Sequence, residues 1–174
     1  YHASLGATQG IDLDGTGAAG SASTYWNNTA PTTSVFSIGT ANNTGAAQTY
    51  VAYCFAEKTG FSKFMGWSGN GETDGTFLYT GFKPAFFMYK VATGTTGGWG
   101  MLDNKRDTIN PVDNTLSANS NSAQAADHDV DFLSNGLKIR SAGGNINMSG
   151  ATYIGMAFAE APLVGSNNVP CTAR

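Results

Sequence analysis

The chain has 174 residues, enough for one domain or two small ones, and a chain of this size hides roughly 70% of its unfolded surface. Apolar residues make up 41%, aromatics 11% and charged residues only 12%, with a net charge of −3, whereas charged residues usually contribute about 25%. The aromatics exclude a disordered chain, the lack of any Lys/Arg cluster argues against nucleic-acid binding, and no run of about eighteen apolar residues offers a membrane span.

The chain begins at Tyr1 rather than Met and shows no basic-then-apolar leader, so a fragment or a processed product is expected. Short β-like runs then follow one another: Ser34 to Ile38, Thr49 to Glu57, Phe61 to Met65, Thr76 to Thr80 and Pro84 to Val91. They continue with Trp99 to Leu102, Val130 to Leu133, Leu137 to Arg140 and Thr152 to Glu160. These runs are rich in Val, Ile, Phe, Tyr and Thr, and most are bounded by Gly, Asn, Asp or Ser. The best helical candidate, Ser117 to Ala126, is interrupted by Ser and Asn, whose side chains compete for backbone hydrogen bonds; it reads as a loop or a single turn. The fold class expected is all-β, an antiparallel sandwich of jelly-roll type with little or no helix. Tyr50 to Ala56 and Ala85 to Tyr89 are apolar at every position, so both are expected as central strands covered on both faces.

An internal repeat organises the chain. Thr49-Tyr50-Val51-Ala52-Tyr53-Cys54-Phe55-Ala56-Glu57 returns as Thr152-Tyr153-Ile154-Gly155-Met156-Ala157-Phe158-Ala159-Glu160. Thr, Tyr, Phe, Ala and Glu recur in place and Val51/Ile154 is conservative. Upstream, Phe36-Ser37-Ile38 corresponds to Leu137-Lys138-Ile139, each followed by an Asn- and Gly-rich turn, so each copy is expected to end in a hairpin whose second strand is the Thr-Tyr strand. Residues 1–57 match the length of roughly 102–160, which leaves Gly66 to Met101 without a counterpart. The expected division is an incomplete first unit at 1–60, a complete second unit at 61–162 and a tail at 163–174. The parent protein is expected to extend further toward the N-terminus, and another chain or the missing segment to cover the open edge of the first unit.

Several side-chain groups invite a chemical reading. Glu57 and Glu160 are paired by the repeat; two carboxylates could act as acid and base of a glycosidase, but a duplicated position favours a duplicated structural duty. His2 and His128 are the only histidines, and no nucleophile elbow accompanies them. Asp127, Asp129 and Asp131 surround His128, and Asp12-Leu13-Asp14-Gly15 forms a second acidic stretch. Either could be a Ca²⁺ loop, although neither completes the EF-hand pattern and solvated turn residues are the default. No other cofactor is expected. Trp26, Trp67 and Trp99 lie beside Gly, Asn or Ser; each is a candidate for stacking on a glycan or for capping the rim of the core. Cys54 and Cys171 are read as a buried thiol and a loose terminal one, with a disulfide between them as the alternative. Three Asn-x-Ser/Thr matches, at Asn27, Asn42 and Asn147, are read as chance.

With these motifs in view, the chain resembles an uncharacterised repeat domain of tail-fibre-like and other structural proteins of marine tailed phages. The resemblance rests on Thr49–Glu57, on Gly69-Asn70-Gly71 leading to Tyr79-Thr80-Gly81-Phe82-Lys83-Pro84, on Asn110-Pro111-Val112-Asp113-Asn114, on Asp131-Phe132-Leu133-Ser134-Asn135-Gly136 and on Thr152–Glu160. Tyr1 to Ala7 is similar to the interior of a preceding unit. The pattern departs after Pro162, where Leu163 stands in place of an aromatic. The resemblance implies a non-enzymatic virion protein of a tail fibre or spike, located on the extracellular particle. Its implied partners are copies of itself, other virion proteins and host-surface glycans, with neither nucleic acid nor membrane insertion. A capsid decoration protein or a self-assembling extracellular filament subunit is the alternative.

Overall fold

The computed structural model describes residues 1–41, 44, 45 and 47–160. Among the described residues, ten strands and one short helix occur in the order β1 (Gln9–Gly10), β2 (Gly20–Ser21), β3 (Ser62–Ser68), β4 (Phe77–Tyr79), β5 (Pro84–Thr93), β6 (Trp99–Asp103), β7 (Val112–Ser117), β8 (Ala125–Leu133), β9 (Gly136–Ile139), α1 (Gly144–Asn147) and β10 (Thr152–Ala159). The chain is thus nearly all β, as its composition predicts. β1 and β2 form a two-stranded ribbon; the other eight join in the order β3-β10-β5-β6-β7-β8-β9-β4, and each of their pairings is antiparallel. The sheet curls until its edges, β3 and β4, approach each other across the turn that joins them, where Thr76 Oγ1 donates to the Ser68 carbonyl at 3.1 Å. The result is a sheet nearly closed into a barrel, which leaves little open edge.

Two apolar layers explain the sequence of β5 and β10. The barrel interior holds Trp67, Phe87, Tyr89, Val91, Leu137 and Tyr153 among others. On the outer side of β10-β5-β6 a second cluster gathers Met88, Ala92, Trp99 and Ile154 under Leu5, Ile11 and Ala19 of the N-terminal segment. Strands covered on both faces have no polar alternation to show, so Ala85 to Tyr89 is a central strand as its composition suggests; Tyr153 to Ala159, equally apolar, is another. Large and small residues interlock at the centre. Tyr89, fully buried, has glycine as its cross-strand partner on both sides, Gly155 on β10 and Gly100 on β6. A Cβ on Gly100 would lie 2.2 Å from the Tyr89 ring, so the ring occupies the space that glycine leaves.

Not every predicted strand forms. Ser34 to Ile38 and Thr49 to Glu57 are not in strands and are largely exposed. The expected hairpins do not form either: β9 pairs with β8 and β4, while β10 pairs with β3 and β5. Residues 140–151, carrying α1, cross the barrel end between them. Conversely, β7 escapes a propensity reading because Asp113 and Asn114 are poor strand formers. The β6–β7 ladder holds only at Gly100↔Ser117 and Met101↔Leu116. Where the strands part, side chains replace the ladder: Asp107 Oδ2 accepts from the Asp113 and Asn114 amides at 3.0 and 2.8 Å, and Arg106 donates to the Asn114 and Met101 carbonyls at 2.6 and 3.0 Å. These bonds satisfy backbone groups that no strand partner reaches.

Candidate functional site

The region with most to offer is the pair of similar segments, Thr49–Glu57 and Thr152–Glu160, because they occupy two different environments. As β10, the repeat sits at the middle of the wall. Tyr153, Gly155 and Ala157 face the interior; Ile154, Met156 and Phe158 face outward. Trp67 stacks on the Tyr153 ring with centroids 5.2 Å apart, and the Tyr153 hydroxyl accepts from the Met148 amide at 2.8 Å. As Thr49–Glu57, the repeat runs outside the sheet. Val51 is 79% exposed and Tyr53 83%, against 2% for Ile154. The Cys54 thiol is likewise exposed, where its counterpart Ala157 is fully buried. The expectation of a covered central strand at Tyr50 to Ala56 is therefore corrected. Periodicity reports what a segment is suited to, and this segment lies beside no pair of neighbours like those that flank β10.

The C-terminal end of the exposed copy is nonetheless anchored. The Phe55 ring reaches Phe64 and Phe158 at centroid distances of 6.2 and 6.1 Å, and Phe61 and Phe86 complete an aromatic group around Phe158. Glu57 accepts from the Phe64 amide at 3.1 Å and pairs with Lys63 at 2.8 Å. Glu160, at the same repeat position, pairs with Lys105, and that contact holds its carboxyl below the usual carboxylate range. Each Glu thus binds a lysine on a neighbouring segment, a structural duty duplicated with the sequence.

The three tryptophans separate. Trp67 and Trp99 are buried; the indole of Trp67 donates to the Ile146 carbonyl at 3.2 Å, and that of Trp99 to the Asp12 carbonyl at 2.8 Å. Neither presents a face to a sugar. Trp26 is half-buried, lies edge-on to Tyr1 and Tyr25, and donates to the Gln9 carbonyl at 3.2 Å. Tyr25 also lines a recess of about 130 Å³ with Asp12, Ser21 and the glycines of β1 and β2.

Asp127, Asp129 and Asp131 lie on a strand, β8, rather than in a loop. Same-face residues of a strand are spaced by about 6.8 Å, and Asp131 is already paired with Arg140 at 2.7 Å. Among the described residues no group of three or more His, Cys, Asp and Glu side chains could hold a metal ion. His128 points to the other face, where its Nδ1 lies 2.9 Å from the Tyr89 hydroxyl. Burial pushes the His128 pKa down and the Tyr89 pKa up. A recess of about 40 Å³ beside them exceeds the roughly 10–15 Å³ that one water requires. Alternation along Asp127-His128-Asp129 was the available signal for this inward-facing histidine.

Two further polar residues were missed in the sequence. Lys90, buried on the outer face of β5, donates to the carbonyls of Thr16, Gly17 and Gly97, binding the N-terminal segment to the sheet. Asn147, fully buried at the end of α1, accepts from the Asn70 amide at 3.1 Å. Its amide group donates to Asn70 Oδ1, Glu72 O and Ser141 O at 2.8 to 2.9 Å. Asn147 thus holds the Gly69-Asn70-Gly71 turn across the barrel end. The Asn147-Met148-Ser149 match is consequently no glycan acceptor in the folded chain. Asn42 and Cys171 lie outside the described residues, as do Pro162 and Leu163. Among the described residues, no helix is long and apolar enough to cross a membrane.

No curated protein and no solved structure matches the chain. One family model does, over residues 1–162, that of a domain of unknown function (DUF7483). The match covers the barrel and the exposed repeat segment alike, and the chain belongs to this family.

Proposed function

We propose that the chain is a non-enzymatic structural and adhesion module of a tailed-phage virion, part of a tail fibre or spike. It acts on the extracellular particle, together with copies of itself and other virion proteins. One observation carries this reading: the central strand of the fold, Thr152–Ala159, recurs as the exposed Thr49–Glu57. Repetition of a rigid, weakly charged β unit builds length and multiple presentation, which raises avidity without new contacts. In this reading the curled sheet is one unit of a repeated sandwich, with β10-β5-β6 facing β8-β9-β4 across the core. The resemblance of Gly69-Asn70-Gly71 and Asn110-Pro111-Val112-Asp113-Asn114 to phage fibre repeats supports the assignment.

Host-surface glycan is the proposed ligand, and Trp26 with Tyr1 and Tyr25 is the aromatic group best disposed to meet it. Antibody labelling of purified particles tests the location; signal at the tail is expected, and unlabelled particles would exclude it. A glycan array tests adhesion; binding lost in Trp26→Ala but kept in Trp26→Phe supports a stacking role, and no binding to any glycan removes it.

The exposed Val51, Tyr53 and Phe55 favour a second reading, a capsid decoration or filament subunit that buries this row against another chain. Lateral contacts on a capsid lattice, or head-to-tail stacking in particle images, would select it over the fibre.

A further inference from the structure

We infer that Thr49–Glu57 is the closing strand of another unit of this domain, inserted between two strands of that unit that correspond to β3 and β5. The inference rests on the reading of the chain as a repeated structural module. β10 shows what this sequence does when its neighbours are present: it pairs with β3 along Thr152–Phe158 and with β5 along Thr152–Ala159. Carried over by the repeat, Val51, Tyr53 and Phe55 take the outward positions of Ile154, Met156 and Phe158, while Ala52 and Cys54 take the inward positions of Gly155 and Ala157. Glu57 and Glu160 are 103 positions apart (160 − 57). The same shift puts the counterparts of β3 and β5 at positions that precede Tyr1, and among the described residues no two strands flank Thr49–Glu57.

The occupant is not a second copy of this chain's own β3–β5 pair. That gap is already filled by β10. It is also shaped for glycine: a Cβ on Gly155 would lie 2.9 Å from the Phe87 ring, 3.0 Å from the Met88 carbonyl and 3.1 Å from Trp67. Ala52 would bring such a Cβ. The strand pair that receives Thr49–Glu57 therefore leaves more room at this point than Phe87 and Trp67 do. The junction is already built at the other end, because Glu57 caps the Phe64 amide of β3 and the Ser62 hydroxyl donates to the Ala56 carbonyl at 2.9 Å. The closing strand of one unit thus leads through the Lys58–Phe61 turn into β3 of the next.

Cys54 reports the insertion directly, since it is exposed here and its counterpart is fully buried. The test compares maleimide labelling of Cys54 in the chain with labelling in a tandem carrying residues 58–103 ahead of Tyr1, with and without Ala52→Gly. Cys171→Ser in all three removes the other thiol. Rapid labelling in the chain alone is expected. Protection of about tenfold or more is expected in the Ala52→Gly tandem, which matches the glycine-shaped gap, and Val51→Asp in that tandem should restore labelling. Equal labelling of the Ala52→Gly tandem and the chain would overturn the proposal. So would protection in the chain alone that grows with concentration, which would assign the segment to a second copy. Either result stands apart from the location of the protein on particles, which tests the functional reading separately.

Discussion

Asn147→Ala removes the one buried side chain that ties α1 to the 69–75 turn. The side chain accepts one hydrogen bond and has two N–H groups shared among three acceptors, so three bonds are lost together. At about 1 kcal/mol net for each bond, the loss is about 3 kcal/mol, and a carbonyl left buried without a donor adds to it. For a domain of this size that corresponds to a fall in Tm of about 6–12 °C. Calorimetry on the two proteins measures the shift, and hydrogen exchange locates it. Faster exchange at Asn70 and Gly71, whose amides donate to the side chain and to the backbone carbonyl of Asn147, is expected before any change in β5. A fall below about 2 °C, less than one such bond is worth, would refute the role given to Asn147.

Other perturbations test separate parts of the fold. Gly155→Ala should destabilise by about 1–3 kcal/mol in chemical denaturation through overpacking against Phe87 and Trp67, whereas Ala52→Gly on the exposed copy should change stability by less than about 0.5 kcal/mol; equal effects would contradict the packing described. Lys90→Met removes the tether to Thr16 and Gly17 but also the cost of burying an ammonium group. Proteolysis within Asp12 to Gly20 should therefore accelerate more than global melting changes, and unaltered cleavage would count against the tether. Burial lowers the pKa of both His2 and His128 below the ordinary histidine value of 6.5. The unfolded chain then takes up protons first, so stability is full above that value and is lost as pH falls from it toward the folded pKa values. Tm should drop between pH 7.5 and 5.5, less in His128→Gln than in the parent, and a Tm that rises over that interval would reverse the sign.

Much of the sheet was legible in the residues. Ala85 to Tyr89 lacks polar alternation because both faces are covered, and that pattern reads directly as a central strand. The same reading failed at Tyr50 to Ala56, where an equally apolar segment is exposed, because pattern records the environment a strand suits and not whether its neighbours are at hand. β7 stayed hidden behind Asp113 and Asn114, whose strand depends on Arg106 and Asp107, residues outside it. Pairing was the least legible feature. Leu137 to Ile139 and Thr152 to Glu160 look like the arms of a hairpin, yet the 140–151 crossing sends them to different strands. Of the site residues, Trp67 and Trp99 proved to be core because their indole N–H groups find carbonyls far along the chain, which composition around each tryptophan does not report. Lys90 and Asn147 were invisible for the same reason.

Hydrogen exchange on the 174-residue chain, followed in the two similar segments at once, bears most directly on the contrast between one buried in the sheet and the other outside it. Slow exchange is predicted for Tyr153 to Phe158, paired on both sides, and fast exchange for Val51 to Phe55. Comparable protection of the two copies would contradict the arrangement described.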